Sequence, residues 1–187
     1  RIEIGATGVG VHASTAIGAR RAVETVLALA ATGSLPWGVI EDAPRFRWRG
    51  LLVDVARQRI PLARLDQVVD AMAAAKLNVL HLHLSDDQAF RVQSVVHPRL
   101  HEDGSGGFWY TQDELRAFVH RAARAGIRVV PEFDVPGHTT SWLVAHPELA
   151  ATSGPFELRR RAGIAAVGLR PDDPDVIAFL RALFAEM

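Results

Sequence analysis

The stretch LNVLHLHLSDDQAFR, residues 77–91, begins as an apolar run with two histidines and passes directly into two aspartates. The same order, a short apolar run and then charged or imidazole side chains, occurs in WRGLLVDVAR at residues 48–57 and in GIRVVPEFDVPGH at residues 126–138. Helical patterns separate the three runs. Because parallel strands of such units end at one rim, the sequence predicts an enzyme with its site at that rim. The sheet is expected to be either doubly wound or a TIM barrel.

Three strand–helix units follow from the periodicity of apolar residues and from the helix caps. The helices are expected to begin at Pro61, at a capping box formed by Thr111 and Glu114, and at Asp173, which precedes a proline. The expected strands span residues 51–56, 77–84 and 127–134, and the first of them is expected to be buried. The alternation indicates an α/β fold, and the sequence contains no fourth strand of this kind.

The chain before these units has a different organisation. Two short strands around a Gly-rich turn are expected within residues 1–13, and Ser14 or Thr15 can cap a helix that ends at Gly33. Residues 34–46 contain two prolines and a charge pair, and we interpret them as a linker. The strand–strand–helix piece is too small to be a domain alone, so a boundary is expected near the end of the linker.

Composition limits the classes of function. The chain has 187 residues, 49% of them apolar, so it can bury a core, and its 21 Lys and Arg balance 21 Asp and Glu. Without a basic field, nucleic acid is not an expected partner, and the run Arg159–Arg161 is interpreted as a solvated face. The absence of cysteine excludes disulfides, thiol catalysis and cysteine zinc sites. No apolar run approaches the roughly 20 residues that span a bilayer, so no membrane partner is expected.

Arg57 follows the first strand and is the first candidate for chemistry. Its guanidinium is a planar donor fork that suits a carboxylate, a phosphate or vicinal sugar hydroxyls. An ion pair with Asp54 or Asp86 explains the residue equally well. The spacing leaves both alternatives open.

The second strand ends in a cluster of four polar residues. His81 and His83 share a face because residues two apart on a strand point the same way, and Asp86 and Asp87 follow directly. Each of these groups needs a partner when it is desolvated, so a functional cluster is favoured over packing. His81 by itself is at least as well explained as a core histidine with satisfied hydrogen bonds.

The third strand ends in Glu132, Asp134 and His138. Pro136 and Gly137 predict a sharp turn that returns His138 toward the carboxylates. An Asp–His pair of this kind orients an imidazole and stabilises its protonated form. A turn held by hydrogen bonds from Asp134 to the backbone is the alternative.

Two kinds of hydrolysis fit these residues. In carbohydrate hydrolysis, carboxylates and an orienting arginine surround a polyhydroxylated ring. In metal-assisted hydrolysis, His81-x-His83 with a later aspartate and histidine could ligate zinc. The spacing does not decide between them.

Taken together, the three segments resemble the family 20 glycoside hydrolases, the β-N-acetylhexosaminidases. The resemblance covers residues 45 to about 150, and residues 1–44 are more loosely similar to the end of the small α+β domain that precedes the barrel in that family. It places the domain boundary between residues 1–44 and 45–187. The matching words are RFRWRGLLVDVAR, AMAAAKLNVLHLHLSDDQAFR, HPRL, YTQDELRAFVHRAARAGIRVVPEFDVPGHT and HPEL.

The resemblance implies a (β/α)8 TIM barrel that removes terminal β-linked N-acetylglucosamine or N-acetylgalactosamine from glycan or chitin-type ends. It implies a substrate-assisted retaining mechanism, in which the acetamido oxygen of the sugar attacks the anomeric carbon and forms an oxazolinium ion. A glutamic acid protonates the leaving oxygen, and an adjacent aspartate orients the acetamido group. A carbohydrate is then the expected partner, and neither a cofactor nor a metal is implied.

Individual residues take roles from the same resemblance. Arg57 matches the arginine that holds the 3- and 4-hydroxyls of the terminal sugar. Asp86 and His138 match an aspartate and a histidine that support the acid through hydrogen bonds, and Asp134 matches the aspartate beside that histidine. The words that match also contain two expected supporting residues, His83 and Glu132.

The sequence departs from the family in one respect. The catalytic pair lies in a Gly-Gly-Asp-Glu word on the fourth strand, and no such word occurs among the 187 residues. We therefore expect the first three units of a barrel that is truncated before its fourth strand. The isolated chain should be inactive, and a catalytically inactive half-barrel is an alternative function. We also expect the native start to precede Arg1, which leaves the compartment open, with an exported bacterial enzyme favoured.

Overall fold

The first 40 residues form a three-stranded antiparallel sheet and a helix. The computed structural model describes residues 1–161, 163 and 165–187. Thr15 caps the helix as predicted, because its Oγ1 accepts a hydrogen bond from Gly18 N at 3.0 Å. The elements are β1 (Ile2–Gly5), β2 (Gly8–Val11), the helix α1 (Ala16–Ala30) and β3 (Gly38–Ile40), and β1 lies in the middle of the sheet.

The interpretation of residues 34–46 as a linker is wrong in part, because β3 lies inside this segment. β3 pairs with β1 and places Ile40 opposite Ile2. A strand of three residues is too short to show an alternating pattern, so the sequence carries no signal for it.

A second sheet supplies the rim that carries the candidate residues. It contains three long parallel strands, and the second of these along the chain lies in the middle. The last two residues of that middle strand also pair with a short antiparallel strand. The strands are β4 (Gly50–Asp54), β5 (Val79–Asp86), β6 (Ala89–Phe90) and β7 (Arg128–Phe133). The helices are α2 (Leu62–Ala74), α3 (Arg99–Glu102), α4 (Gln112–Arg124), α5 (Thr140–Ala145) and α6 (Pro174–Glu186), and a 3-10 turn spans Pro147–Leu149. The predicted alternation of strands and helices is confirmed.

Local sequence sets the bounds of α4. Thr111 Oγ1 accepts a hydrogen bond from Glu114 N at 3.2 Å, and Glu114 Oε2 accepts one from Thr111 N at 2.8 Å, so the predicted capping box is present. Gly126 follows the helix with a φ of 73°, a left-handed conformation that glycine adopts without strain. Within the described residues, no helix is both long and apolar enough to cross a membrane.

The core lies between the middle strand β5 and the helices. Leu80, Leu82 and Leu84 of β5 are buried, as is Trp142 of α5. The expectation that the first strand of the parallel sheet is buried is wrong, because Leu52 of β4 is 52% exposed. In the part of the chain that the structure describes, β4 pairs with β5 on one side only and is an edge strand.

Arg21 joins α1 to the second sheet. Its Nη1 donates a hydrogen bond to Ala73 O and its Nη2 donates one to Leu77 O, both at 2.7 Å. These carbonyls lie at and just beyond the end of α2, where the last carbonyls of a helix have no partners within it. The first 40 residues are therefore held directly against the carboxyl end of α2.

Gly104 is expected to tolerate no side chain. A Cβ at this position would lie 2.5 Å from the carbonyl oxygens of both Leu100 and Ser141. Because both are backbone atoms, relief requires a shift of both α3 and α5, or of the backbone at residue 104 itself. We predict that Gly104→Ala lowers the free energy of unfolding by about 3 kcal/mol, as measured by urea denaturation.

The matched control for this prediction is Gly5→Ala, because a Cβ at Gly5 would have no heavy atom within 4 Å. This variant is expected to change the free energy of unfolding by less than about 0.5 kcal/mol. Equal stability of the two variants would contradict the prediction.

Candidate functional site

Three polar residues lie in one row across the parallel strands. The strand pairing places Asp54 of β4 opposite His83 of β5, and His83 opposite Glu132 of β7. His81 lies two residues before His83, and its Nε2 is 2.9 Å from Glu132 Oε2. The polar side chains of the three strand ends therefore meet at one rim, as the sequence predicts.

Asp86 lies at the centre of the hydrogen bonds at this rim, and its side chain is fully buried. Its Oδ2 accepts from Arg57 Nη2 at 2.6 Å and from His83 Nε2 at 2.8 Å. Its Oδ1 accepts from Asp87 N at 2.6 Å and from His138 Nδ1 at 3.1 Å. Four donors on two oxygens offset the cost of burying the negative charge.

The contacts of His83 require an imidazolium. Its Nδ1 lies 2.7 Å from Glu132 Oε2, and its Nε2 lies 2.8 Å from Asp86 Oδ2. Ionised carboxylates only accept hydrogen bonds, so both ring nitrogens carry a hydrogen. Burial disfavours the charged ring, but the hydrogen bonds to Glu132 and Asp86 outweigh it and raise the pKa of His83 above its ordinary value.

This raised pKa makes part of the folding stability depend on pH. The contribution of His83 is fully present below the unfolded pKa of about 6.5 and is lost as the pH rises through the folded value. We predict that the stability difference between the wild type and His83→Gln is largest near about pH 5.5 and declines toward about pH 9. Urea denaturation at several pH values measures this difference.

The histidines outside this network keep the same partners in both proteins, so their contributions to that difference cancel. His81 and His138 share Glu132 and Asp86 with His83, so the difference reports on the network that His83 joins. His120→Gln, the same substitution at an exposed position on α4, is the control. A pH-independent difference for His83→Gln would show that the ring is not held as an imidazolium.

Arg57 forms ion pairs with two aspartates and still faces solvent. Its Nη1 lies 2.7 Å from Asp54 Oδ2, and its Nη2 lies 2.6 Å from Asp86 Oδ2. Asp54 Oδ1 also accepts from the backbone N–H groups of Ala56 and Arg57, each at 3.0 Å. The side chain of Arg57 is 37% exposed. The ion pairs therefore coexist with a guanidinium that a ligand can reach.

His138 lies in a left-handed turn. Its φ of 55° is strained for a residue with a Cβ, at a cost of about 1 kcal/mol or more. The turn brings its Nδ1 to 3.1 Å from Asp86 Oδ1. The expected pairing with Asp134 is thus corrected, because the turn carries the ring to the end of β5. Asp134 stays close, with one carboxylate oxygen within 4.8 Å of ligand atoms of Asp86 and His138.

Asp87 positions this turn, in addition to its predicted place in the polar cluster that ends the second strand. Its side chain is fully buried, and its Oδ1 accepts from Thr140 N at 3.1 Å and from Thr140 Oγ1 at 2.6 Å. Ser141 Oγ donates to Asp86 O at 2.6 Å. The start of α5, just after His138, is therefore bound to the end of β5. The sequence signal for this role is the pair of consecutive aspartates. Asp86 binds the ring of His138, and Asp87 binds the start of the helix that follows His138.

Two clusters of side chains bring three ligating atoms within 4.8 Å of one another. His81 belongs to neither cluster, so the described residues do not form the zinc pair suggested by His81-x-His83. Arg57 Nη2, at 2.6 Å from Asp86 Oδ2, places a positive charge beside the second cluster and disfavours a cation there. The clusters are His83–Glu132–Asp134 and Asp86–Asp134–His138.

Comparison with known proteins points to one family. Residues 46–187 match the model of "Glycosyl hydrolase family 20, catalytic domain". The beta-hexosaminidase of Akkermansia muciniphila is 39% identical over 165 residues, which cover 82% of this chain and 34% of that protein. The chain spans about a third of the length of the curated relatives that it matches.

Solved structures that resemble this chain belong to the same kind of protein as the curated relatives. The chitobiase of Flavobacterium johnsoniae superposes with a TM-score of 0.90 at 36% identity, over 100% of this chain and 29% of that chain. A mutant beta-hexosaminidase of Streptomyces plicatus, in complex with its product GlcNAc, superposes with a TM-score of 0.89 at 32% identity, over 99% of this chain and 41% of that chain.

Proposed function

Since the chain belongs to glycoside hydrolase family 20, we propose that it forms part of an exo-acting β-N-acetylhexosaminidase. The proposed substrate is a glycan or chitin-type chain that ends in β-linked N-acetylglucosamine or N-acetylgalactosamine. The GlcNAc product bound by the Streptomyces plicatus relative supports this class of substrate. The proposal includes no cofactor and no nucleic acid or membrane partner.

The observation that carries the proposal is the buried carboxylate of Asp86, bound by both Arg57 and His138. In this proposal Arg57 binds the 3- and 4-hydroxyls of the terminal sugar. Asp54 and Asp86 fix its guanidinium, and part of the side chain remains exposed at the rim. A planar fork of donors held in this way matches two neighbouring hydroxyl oxygens.

Asp86 and His138 are proposed to support the catalytic acid. Because His138 Nδ1 is bonded to Asp86, its Nε2 is the nitrogen left for a second partner, and we assign the acid to it. The acid protonates the leaving oxygen while the acetamido oxygen of the sugar attacks the anomeric carbon. His83 holds Asp86 from the side of the sheet and is itself held by Glu132. Asp134 lies beside this network, with a carboxylate oxygen within 4.8 Å of Asp86 and His138 atoms, and is proposed to support it.

Residues 45–187 are proposed to be the first three strand–helix units of a (β/α)8 barrel, and residues 1–44 the end of a small α+β domain. Three parallel strands with intervening helices support this assignment, as does the share of the relatives that the chain spans. Three strands cannot close a barrel. The catalytic Asp–Glu pair is then supplied by other residues of the same barrel.

We predict that the enzyme with its whole barrel hydrolyses an aryl N-acetyl-β-glucosaminide and that the 187-residue chain alone does not. Because the acetamido oxygen is the proposed nucleophile, the matching aryl β-glucoside should react at least about a thousandfold more slowly. Release of the aryl group gives the rates, and NMR of the first product should show the β-anomer. Equal rates on the two substrates, or an α-anomer, would rule out the substrate-assisted mechanism.

A metal-dependent hydrolase is the second candidate, because two sets of three side chains bring ligating atoms within 4.8 Å of one another. Arg57 beside the second set, and the two carboxylate contacts of the His83 ring in the first, oppose a cation at both. Elemental analysis and an assay after treatment with a chelator test this candidate. Stoichiometric zinc together with a loss of activity would support it. Full activity after chelation would remove it and leave the glycosidase mechanism unaffected.

A further inference from the structure

Arg91 is a buried arginine that the proposed mechanism does not use. It is 4% exposed and directly follows β6. Its Nε and Nη2 donate to the carbonyl oxygens of Val55 and Ala56 at 2.9 and 3.0 Å. Its Nη1 donates to the carbonyl oxygens of Ser105 and Phe108 at 2.6 and 2.8 Å. Four of the five guanidinium N–H groups thus bind backbone carbonyls.

Arg91 stays charged although its described partners are carbonyl oxygens and not carboxylates. The ring of Phe108 also lies near it, with the ring centre 5.6 Å from the guanidinium carbon. Burial and the neighbouring Arg59 lower the pKa of Arg91 to about 10, so the side chain is protonated at neutral pH. Burying a charge that forms no direct ion pair is costly. A cation retained at this cost points to a role for the groups that it binds.

Two of those groups belong to the link between β4 and Arg57. The link consists of Val55 and Ala56, both completely buried. Their N–H groups are bound as well, since Val55 N donates to His83 O at 3.2 Å and Ala56 N donates to Asp54 Oδ1 at 3.0 Å. All four backbone polar groups of the link are therefore bound, and the buried guanidinium holds both carbonyls.

We propose that Arg91 is a positioning residue for Arg57 and thereby for the terminal sugar. Asp54 and Asp86 hold the guanidinium of Arg57, whereas Arg91 holds the backbone from which that side chain projects. A tilt of either peptide in the link would displace the far end of a long side chain. The inference rests on the proposed function, in which Arg57 binds the sugar.

A double-mutant cycle in the enzyme with its whole barrel separates positioning from general stability. Arg91→Lys keeps the charge, but an ammonium cannot reproduce the planar fork that binds carbonyls on two sides. We expect it to lower kcat/KM for an aryl N-acetyl-β-glucosaminide about tenfold to thirtyfold in the wild-type background. In an Arg57→Ala background the same change is expected to cost less than about twofold, because the group being positioned is absent.

Arg99→Lys is the matched control, since Arg99 is exposed on α3 and pairs with Asp103 at 3.1 Å. It should leave kcat/KM unchanged. An equal loss from Arg91→Lys in both backgrounds, or no loss in the wild type, overturns the proposal. Should Arg91→Lys not fold, Arg91→Gln is taken through the same cycle.

The same cycle tells failure of this inference from failure of the proposed function. If Arg57→Ala by itself leaves kcat/KM intact, the sugar-binding role of Arg57 fails, and the role of Arg91 fails with it. If Arg57→Ala is severe and the effect of Arg91→Lys is additive, only the role of Arg91 fails.

Discussion

An enzyme that carries Asp86→Asn is expected to lose about a thousandfold in kcat. Both oxygens of Asp86 accept from two donors each, and the amide replaces one oxygen with a group that donates. Whichever way the amide is turned, its NH2 group faces two hydrogen-bond donors that it cannot accept from. The negative charge that compensates Arg57 and His83 is lost as well. His138 then has no anion to orient it, so the acid is left unsupported. Steady-state rates at saturating aryl N-acetyl-β-glucosaminide measure the effect.

Asp103→Asn is the control for this substitution. The chemical change is the same, but Asp103 is 46% exposed and pairs with Arg99 on the surface. Its kcat is expected to stay within about twofold of the wild type, and its unfolding free energy within about 0.5 kcal/mol. For Asp86→Asn we also expect a loss of about 3 kcal/mol in stability, since a buried ion-pair partner is removed. A kcat for Asp86→Asn within twofold of the wild type would refute the supporting role.

The second large effect is expected from Arg57→Ala, which should lower kcat/KM about a thousandfold. Two hydrogen bonds from a charged donor to sugar hydroxyls contribute about 2 kcal/mol each, and about 4 kcal/mol corresponds to that factor. The kcat/KM of Arg57→Lys is expected to lie between those of the wild type and Arg57→Ala, because an ammonium cannot bind both aspartates and both hydroxyls. Kinetics on the aryl N-acetyl-β-glucosaminide measure both variants.

A substrate without the 4-hydroxyl tests which contact is lost. If Arg57 binds that hydroxyl, Arg57→Ala should cost about thirtyfold less on the 4-deoxy sugar than on the normal one, because one contact of about 2 kcal/mol is already missing. Arg64→Ala is the control, since Arg64 is exposed on α2 and its side chain hydrogen-bonds Gln67, at 2.8 Å, and no other described residue. The same loss on both substrates would mean that Arg57 acts on the network and not on the sugar.

Elements with local signals could be predicted from the sequence. The capping box at Thr111 and the left-handed Gly126 set the bounds of α4 through groups within a few residues of its ends. The strand β3 and the exposure of β4 could not be predicted, because both depend on which strands pair. Pairing joins residues that lie far apart in the chain, and a short strand carries too little pattern to reveal it.

Some contacts of the site could likewise be predicted from the sequence, and others could not. Parallel strands bring their carboxyl ends together whatever the side chains are, so His83 and Asp86 could be grouped from the sequence. The partner of His138 could not be predicted, because a φ of 55° carries its ring past Asp134. The role of Arg91 could not be predicted, because its partners are backbone carbonyls, and every residue type carries a carbonyl.

The row of Asp54, His83 and Glu132 also has a consequence for folding. A slip of β5 by one residue would turn every side chain of that strand to the opposite face. Leu82 or Leu84 would then lie between the two carboxylates, and the imidazolium would be buried among apolar side chains. Both changes are unfavourable, so the ionic row discriminates against mispaired strands. The residues proposed to support catalysis therefore also help to select the strand alignment on which their own contacts depend.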